Sequence, residues 1–316
     1  MIAFAARRTL AGLLVCFYVS IATFLIFQVI PNGSPALRIA GRGASPDTIA
    51  AVTRSYGLDR PVWVQYVELM RHVFTGSVVS YANNTNVLAQ VRAGLPATFS
   101  LALGAAVLWM ALAVAIGITS ARKPDGLVDR TVGVLAITGV SIPTYVLAAV
   151  ALYVLSYRTG IFPSGGYVPL TSDPVSWFTH LLLPWLSLSL GLAGFYSRVL
   201  RSSILQVRGQ SFVQAVYARG VTERRLMVRH VLRLAAVPLL ALWGLDIAGV
   251  VGGGAILVET IFNLHGVGQY AQQSIGLLDV PSILVIVLLG SFLVVFMSVV
   301  VDVAAGLVEP RIRAAG

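Results

Sequence analysis

The side chains with the clearest chemistry lie between Ser211 and Pro238, in SFVQAVYARGVTERRLMVRHVLRLAAVP. Arg219, Arg224, Arg225, Arg229, His230 and Arg233 stand there against a single acid, Glu223. Such a set offers positive charge and hydrogen-bond donors. Local signals predict two short helices. Gly209 ends the preceding helix in a left-handed C′ conformation. Ser211 caps a first helix, Phe212 to Arg219, and Gly220 closes it. Thr222 caps a second, with Glu223 in its first turn. Arg224 and Arg225 then sit near a helix N-terminus, where cations are mildly unfavourable, so they answer to something besides their own helix. Two readings stand: a basic loop that meets only water and anionic lipid, or one that meets a partner.

Other chemistry is thin. A phosphate-binding GxxxxGK[ST] loop needs a lysine after glycine. Lys123, the single lysine, follows Arg122. The chain therefore lacks that device for ATP hydrolysis, and a partner must supply it. His72, His180 and His265 lack metal-ligand spacing, and Cys16 has no second sulfur. No Ser-His-Asp grouping is legible. No catalytic or metal residue is assigned.

These residues are carried by a very apolar chain. It has 316 residues, 57% hydrophobic and 11% charged, with net charge +10. The apolar residues come in long runs, which indicates a polytopic membrane protein. The charge therefore reads as topology and not as a nucleic-acid surface. Arg7 and Arg8 precede the first run, Leu10 to Ile30, read as an uncleaved span because it approaches the roughly 20 residues needed to cross. Further spans are predicted at about 99–119, 132–155, 180–199, 235–258 and 281–301. Six spans place both termini inside. The arginines between 198 and 233 lie on the cytoplasmic side under the positive-inside rule.

The expected divisions are 1–30, the first end and span; 31–96, an external segment with short helices; 97–310, a five-helix core including a cytoplasmic loop at 201–237; and 311–316, a cytoplasmic tail. Within 31–96, Ser45-Pro46-Asp47 opens one helix and Gly57 closes it. Asp59 and Pro61 open another. Its Trp63, Val67, Met70 and Phe74 recur at helical spacing. Pro143 interrupts the third span, as a packing kink or a pore-lining bend. Asp246 is an acid inside an apolar run. It is either a functional group facing a cavity or a structural hydrogen-bond partner. Gly252-Gly253-Gly254 permits close helix approach. A glycine-broken external loop is expected through Gly266 and Gly268.

Ala218-Arg219-Gly220, followed by Arg229-His230 and Pro238, resembles the cytoplasmic signature of ATP-binding-cassette importer permeases. The usual acid falls near Ser211, and the usual paired alanines are Ala215 and Val216 here. Across the chain, Gly57-Leu58-Asp59-Arg60-Pro61, Leu95-Pro96-Ala97-Thr98, Ser141-Ile142-Pro143, Gly244-Leu245-Asp246, Val258-Glu259-Thr260-Ile261-Phe262 and Glu309-Pro310-Arg311-Ile312-Arg313 resemble the peptide-importer branch, which includes nickel and haem carriers. The resemblance implies an all-α, type I importer permease fold in the bacterial inner membrane. It implies a second homologous permease, two cytoplasmic ATPases that use ATP and Mg, an extracytoplasmic binding protein and a peptide substrate. No cofactor is expected on this chain. The ATPase-coupling loop would comprise Ser211, Phe212, Ala215, Ala218, Arg219, Gly220, Glu223, Arg224, Arg225, Arg229 and His230. Pro143, Asp246, Gly252, Gly253 and Glu259 are the translocation-path candidates. A secondary transporter would instead need coupling-ion groups on broken, repeated helices. No such repeat is visible, and Asp246 is the one candidate group.

Overall fold

Long apolar runs can satisfy their backbone inside a bilayer only as helices. The computed structural model describes residues 2–30, 34–41, 43–124 and 126–308, and its regular elements are helical. Among the described residues, five helical stretches are long and apolar enough to cross a membrane: Thr9–Val29, Val87–Arg122, Pro174–Arg208, Val237–Gly254 and Val280–Val300. A sixth apolar piece, Thr144–Arg158, is shorter.

The helices run in chain order. α1 (Ile2–Phe24) continues through a π-helical turn, Leu25–Val29. α2 (Pro35–Ala40), α3 (Pro46–Ser55) and α4 (Val62–Thr75) follow. Ser45 caps α3 by accepting from the Thr48 N–H, and Gly57 takes φ +62° just beyond its end, as predicted. A hairpin bridge, Val79 to Asn86, leads into α5 (Val87–Arg122). α5 begins well before the expected Phe99, because Asn86 caps it through the Ala89 N–H and Pro96 is absorbed inside the helix. At 1.5 Å per residue it is about 54 Å long, more than the roughly 30 Å hydrocarbon layer requires.

The third span is two helices rather than one kinked helix. α6 (Leu127–Ser141) stops before Pro143, and α7 (Thr144–Ala151) restarts after it, continuing as a π-helical stretch, Leu152–Arg158. Pro143 has ψ +133°, an extended value. Its ring disfavours helix at Ile142, so chain direction is lost there. α8 (Pro174–Arg208) packs along α5 as the principal helix pair. Trp109 and Tyr196 meet between them with ring centroids 6.3 Å apart, both side chains fully buried. A Cβ on Gly104 would come within 2.1 Å of Trp185, so that crossing requires glycine.

α9 (Ser211–Ala218), α10 (Glu223–Leu226), a π-helical turn (Met227–Val231) and α11 (Leu232–Ala235) make the basic loop. α12 (Val237–Gly249) then rises to a π-helical segment, Val250–Gly254, broken at Gly253. α13 (Ile256–Ile261), α14 (Val267–Leu277) and α15 (Val280–Val308) complete the chain. α14 stands where an irregular loop was expected. Gly266 and Gly268 resemble breakers, yet both are small because of close neighbours. A second core of Phe24, Leu69, Val87, Val267 and Leu284 ties the 34–86 segment to the bundle end away from the basic loop. The sequence motif 309–313 and the expected tail 311–316 lie outside the described residues.

Candidate functional site

The basic loop is amphipathic. Val213, Leu226, Met227 and Val231 are buried against the bundle, and this apolar side anchors the loop. Phe212, Tyr217, Arg219, Arg224, Arg225, Val228 and Arg229 are exposed on it. Ser211, Ala215, Ala218, Gly220 and Glu223 are exposed too, and His230 is half-buried. The free surface thus combines cations with apolar knobs, a composition suited to docking a partner.

Gly220 forms the turn between the short helices with φ +77°. Nothing lies within 4 Å of where its Cβ would be, so backbone conformation alone demands glycine. Two cap assignments shift, and a third holds its position without the side-chain bond. Gly209 keeps φ −74° instead of a left-handed value. Gln210, in extended conformation, occupies the N-cap of α9, with Ser211 as its first helical residue. Thr222 holds the N-cap position of α10 without a side-chain cap bond.

Glu223 accepts from the Arg208 guanidinium at 3.3 Å, and Arg208 also reaches the Ala121 carbonyl at 3.5 Å. The last turn of α8 thereby touches both the loop and the end of α5. Two helical turns back, Arg201 donates to Asp129 Oδ2 at 2.5 Å, while Ser120 Oγ donates to Oδ1 at 3.0 Å. Neither Asp129 nor Arg208 stood out in the sequence. The legible signal was an acid in the first turn of α6, where the helix dipole favours it.

The path candidates separate. Asp246 is half-buried and accepts from the Tyr196 hydroxyl at 2.6 Å. Its partner is therefore on α8 of the same chain. Gly252 is exposed on one side and backs onto Gly290 on the other. A Cβ at Gly290 would approach the Gly252 carbonyl to 2.8 Å. Gly253 has φ +146°, which breaks the fifth span. Pro143 is exposed at the break in the third span. The pieces that follow these breaks, α7 and α13, pack together.

Glu259 is fully buried and faces protein donors. Thr98 Oγ1 donates to Oε1 at 2.7 Å, and the Gln269 N–H donates to Oε2 at 3.0 Å. The Val267 N–H in turn donates to Thr98 Oγ1 at 2.9 Å. Glu259 therefore caps α14 from α13 and pins both to α5. A Cβ on Gly266 would fall 2.3 Å from Oε2. Residues far apart in sequence meet here, so spacing alone could not reveal this knot. A second knot joins the hairpin to α15. Asp279 accepts from Ser80 Oγ at 2.6 Å, Ser282 Oγ at 2.6 Å and the Tyr81 N–H at 2.8 Å.

Comparison with known proteins agrees with this architecture. Two family models match: binding-protein-dependent transport system inner membrane component over residues 113–314, and the N-terminal model of such membrane components over residues 1–102. A peptide transport system permease protein of Brucella abortus is 34% identical over 314 residues, covering 99% of each chain. The dipeptide transport system permease protein DppB of Lactococcus lactis is 29% identical, covering 99% of this chain and 100% of its own. The glutathione transport system permease protein GsiC of Salmonella choleraesuis is 31% identical, covering 99% of each. A solved structure of the MetNI methionine ABC transporter matches with TM-score 0.54 and 17% identity, over 70% of this chain and 97% of that one. At that identity it speaks to fold alone, and the fold is the expected all-α type I importer permease. With both models aligned along the helices described above, the chain belongs to the family of binding-protein-dependent transport system inner membrane components.

Proposed function

We propose that the chain is the permease subunit of an ATP-driven importer that takes in peptides delivered by an extracytoplasmic binding protein. The observation that carries this is the amphipathic basic loop. One side is sealed into the bundle, a glycine turn sets its direction, and the other side presents Phe212, Tyr217 and the arginines. That surface is built to receive a partner and pass its movement to α8 and α12. The partner is a cytoplasmic ATPase, present in two copies, which uses ATP and Mg. The loop and both termini then face the cytoplasm, and the 31–96 segment faces outward. A second homologous permease completes the path, and this chain binds no cofactor and is not itself an enzyme.

The peptide substrate rests on the names of full-length relatives, which are peptide, dipeptide and glutathione permeases. Pro143, Asp246, Gly252 and Gly253 are proposed to border the path, with Asp246 held by Tyr196 rather than offered as a free charge. We read Glu259 as holding the outer helices. The test is reconstitution of the chain with its second permease, the ATPases and the binding protein in vesicles. ATP-dependent accumulation of labelled peptide is expected. Accumulation without the ATPases, driven by an ion gradient, would overturn the reading.

A further inference from the structure

The third span carries the exposed break at Pro143, yet its first helix, α6, is remote in sequence from the basic loop. Some contact must make the foot of α6 follow the loop if the two are to move together. At the basic end of the bundle, α6 is gripped through Asp129, whose side chain is 9% exposed. Arg201 of α8 donates to one carboxylate oxygen and Ser120 of α5 to the other. Arg201 and Arg208 are seven residues apart, so they share one face of α8. Arg208 holds Glu223 of the loop, and Arg201 holds Asp129 of α6. A cleft of about 170 Å³, bordered also by Gly133, Ser197 and Arg198, adjoins the part-buried pair.

We infer that Asp129 and Arg201 are positioning residues for transport: through them α8 carries the displacement of the basic loop to the broken third span. This rests on the importer reading. Arg208–Glu223 is the outer joint of the linkage, and Asp129–Arg201 is the inner one. The inner joint is the less screened by water and salt, because its carboxylate is 9% exposed while Glu223 is 66% exposed. A pair that only stabilised the bundle would affect assembly. A positioning pair affects how much peptide is moved for each ATP consumed.

The experiment uses the complete importer in vesicles with labelled peptide. Removing one partner unbalances a part-buried ion pair and can disturb folding. The informative variant is therefore the neutral pair, Asp129→Asn with Arg201→Gln, which keeps hydrogen-bonding groups on both sides. It is compared with the charge exchange Asp129→Arg with Arg201→Asp. Three quantities are read: ATPase subunit retained on purification, ATP hydrolysis stimulated by loaded binding protein, and peptide accumulated per ATP. The neutral pair should assemble like the parent and lose about tenfold in peptide per ATP, the scale of a site-to-site coupling. The charge exchange should recover part of that loss. Unchanged peptide per ATP in the neutral pair would overturn the inference and leave the importer reading intact, since the parent accumulates peptide in the same assay. Failure of both variants to assemble would also overturn it, by making the pair a requirement for folding alone. If the parent itself shows no ATP-driven accumulation, the importer reading falls and the inference falls with it.

Discussion

The Tyr196 hydroxyl donates to Asp246 at 2.6 Å, joining α8 to α12 inside the bundle. An acid in an apolar span is costly unless it is partnered, and this bond supplies a partner. Asp246→Asn keeps an acceptor for Tyr196 and should assemble and transport close to the parent. Asp246→Leu leaves the buried tyrosine hydroxyl unpaired and should cost about 1–3 kcal/mol. Thermal unfolding in detergent, read together with peptide uptake, checks the order. Equal stability of the leucine variant would remove the structural role.

Gly220→Val places a β-branched residue at φ +77°. The strain is of order 1–3 kcal/mol. No neighbour crowds the position, so Gly220→Asn, which tolerates the left-handed region, should behave nearly like the parent. The valine variant should insert in the membrane normally and lose substrate-stimulated hydrolysis. A valine variant that couples normally would show that the turn does not direct the loop.

Arg224 and Arg225 are exposed and do not form the turn. Changing both to alanine should weaken ATPase retention by at most about 1 kcal/mol for each ion pair lost. The deficit should shrink as salt is raised, because the parent's contacts are then screened too. Retention measured across a salt series would refute this if the difference were independent of salt.

Glu259→Ala removes the acceptor shared by Thr98 and the start of α14. Each buried donor left without its acceptor costs about 1–3 kcal/mol, so α13 and α14 should loosen from α5. Gly266→Ala should imitate it, because the new Cβ would meet the carboxylate. Limited proteolysis between residues 255 and 280 is the readout, with faster cleavage expected in both. Parental resistance in both variants would dismiss the knot as a support.

Burial, followed by the nearby Asp279 and Tyr56, pushes the Tyr81 hydroxyl up to about 12. The folded value lies above the unfolded one of about 10. Its contribution is therefore complete below about pH 10 and is lost as pH rises through about 12. Tyr81→Phe should remove one late-ionising tyrosine from an ultraviolet titration and flatten the alkaline loss of stability. An unchanged titration would show that Tyr81 ionises like an exposed tyrosine.

Much was determined by local sequence. Unbroken apolar runs dictated helices, since a bilayer leaves the backbone no other partner. The arginine excess marked the basic loop. Gly220, Ser45 and Gly57 announced their turns and caps, because each needs only its own backbone and immediate neighbours. Only the tertiary structure decided how the pieces lock. Asn86 outweighed Pro96 in setting where α5 begins. Gly266 and Gly268 proved to be clearance for Glu259 rather than the end of helical structure. Asp246 found Tyr196, Glu259 found Thr98, and Asp129 found Arg201 and Ser120. These bonds mostly join residues tens to hundreds of positions apart, across helices whose relative height and rotation follow from packing. Periodicity describes the face of one helix. It carries no information about which face of another helix lies opposite, and that pairing is what places a charge against its partner.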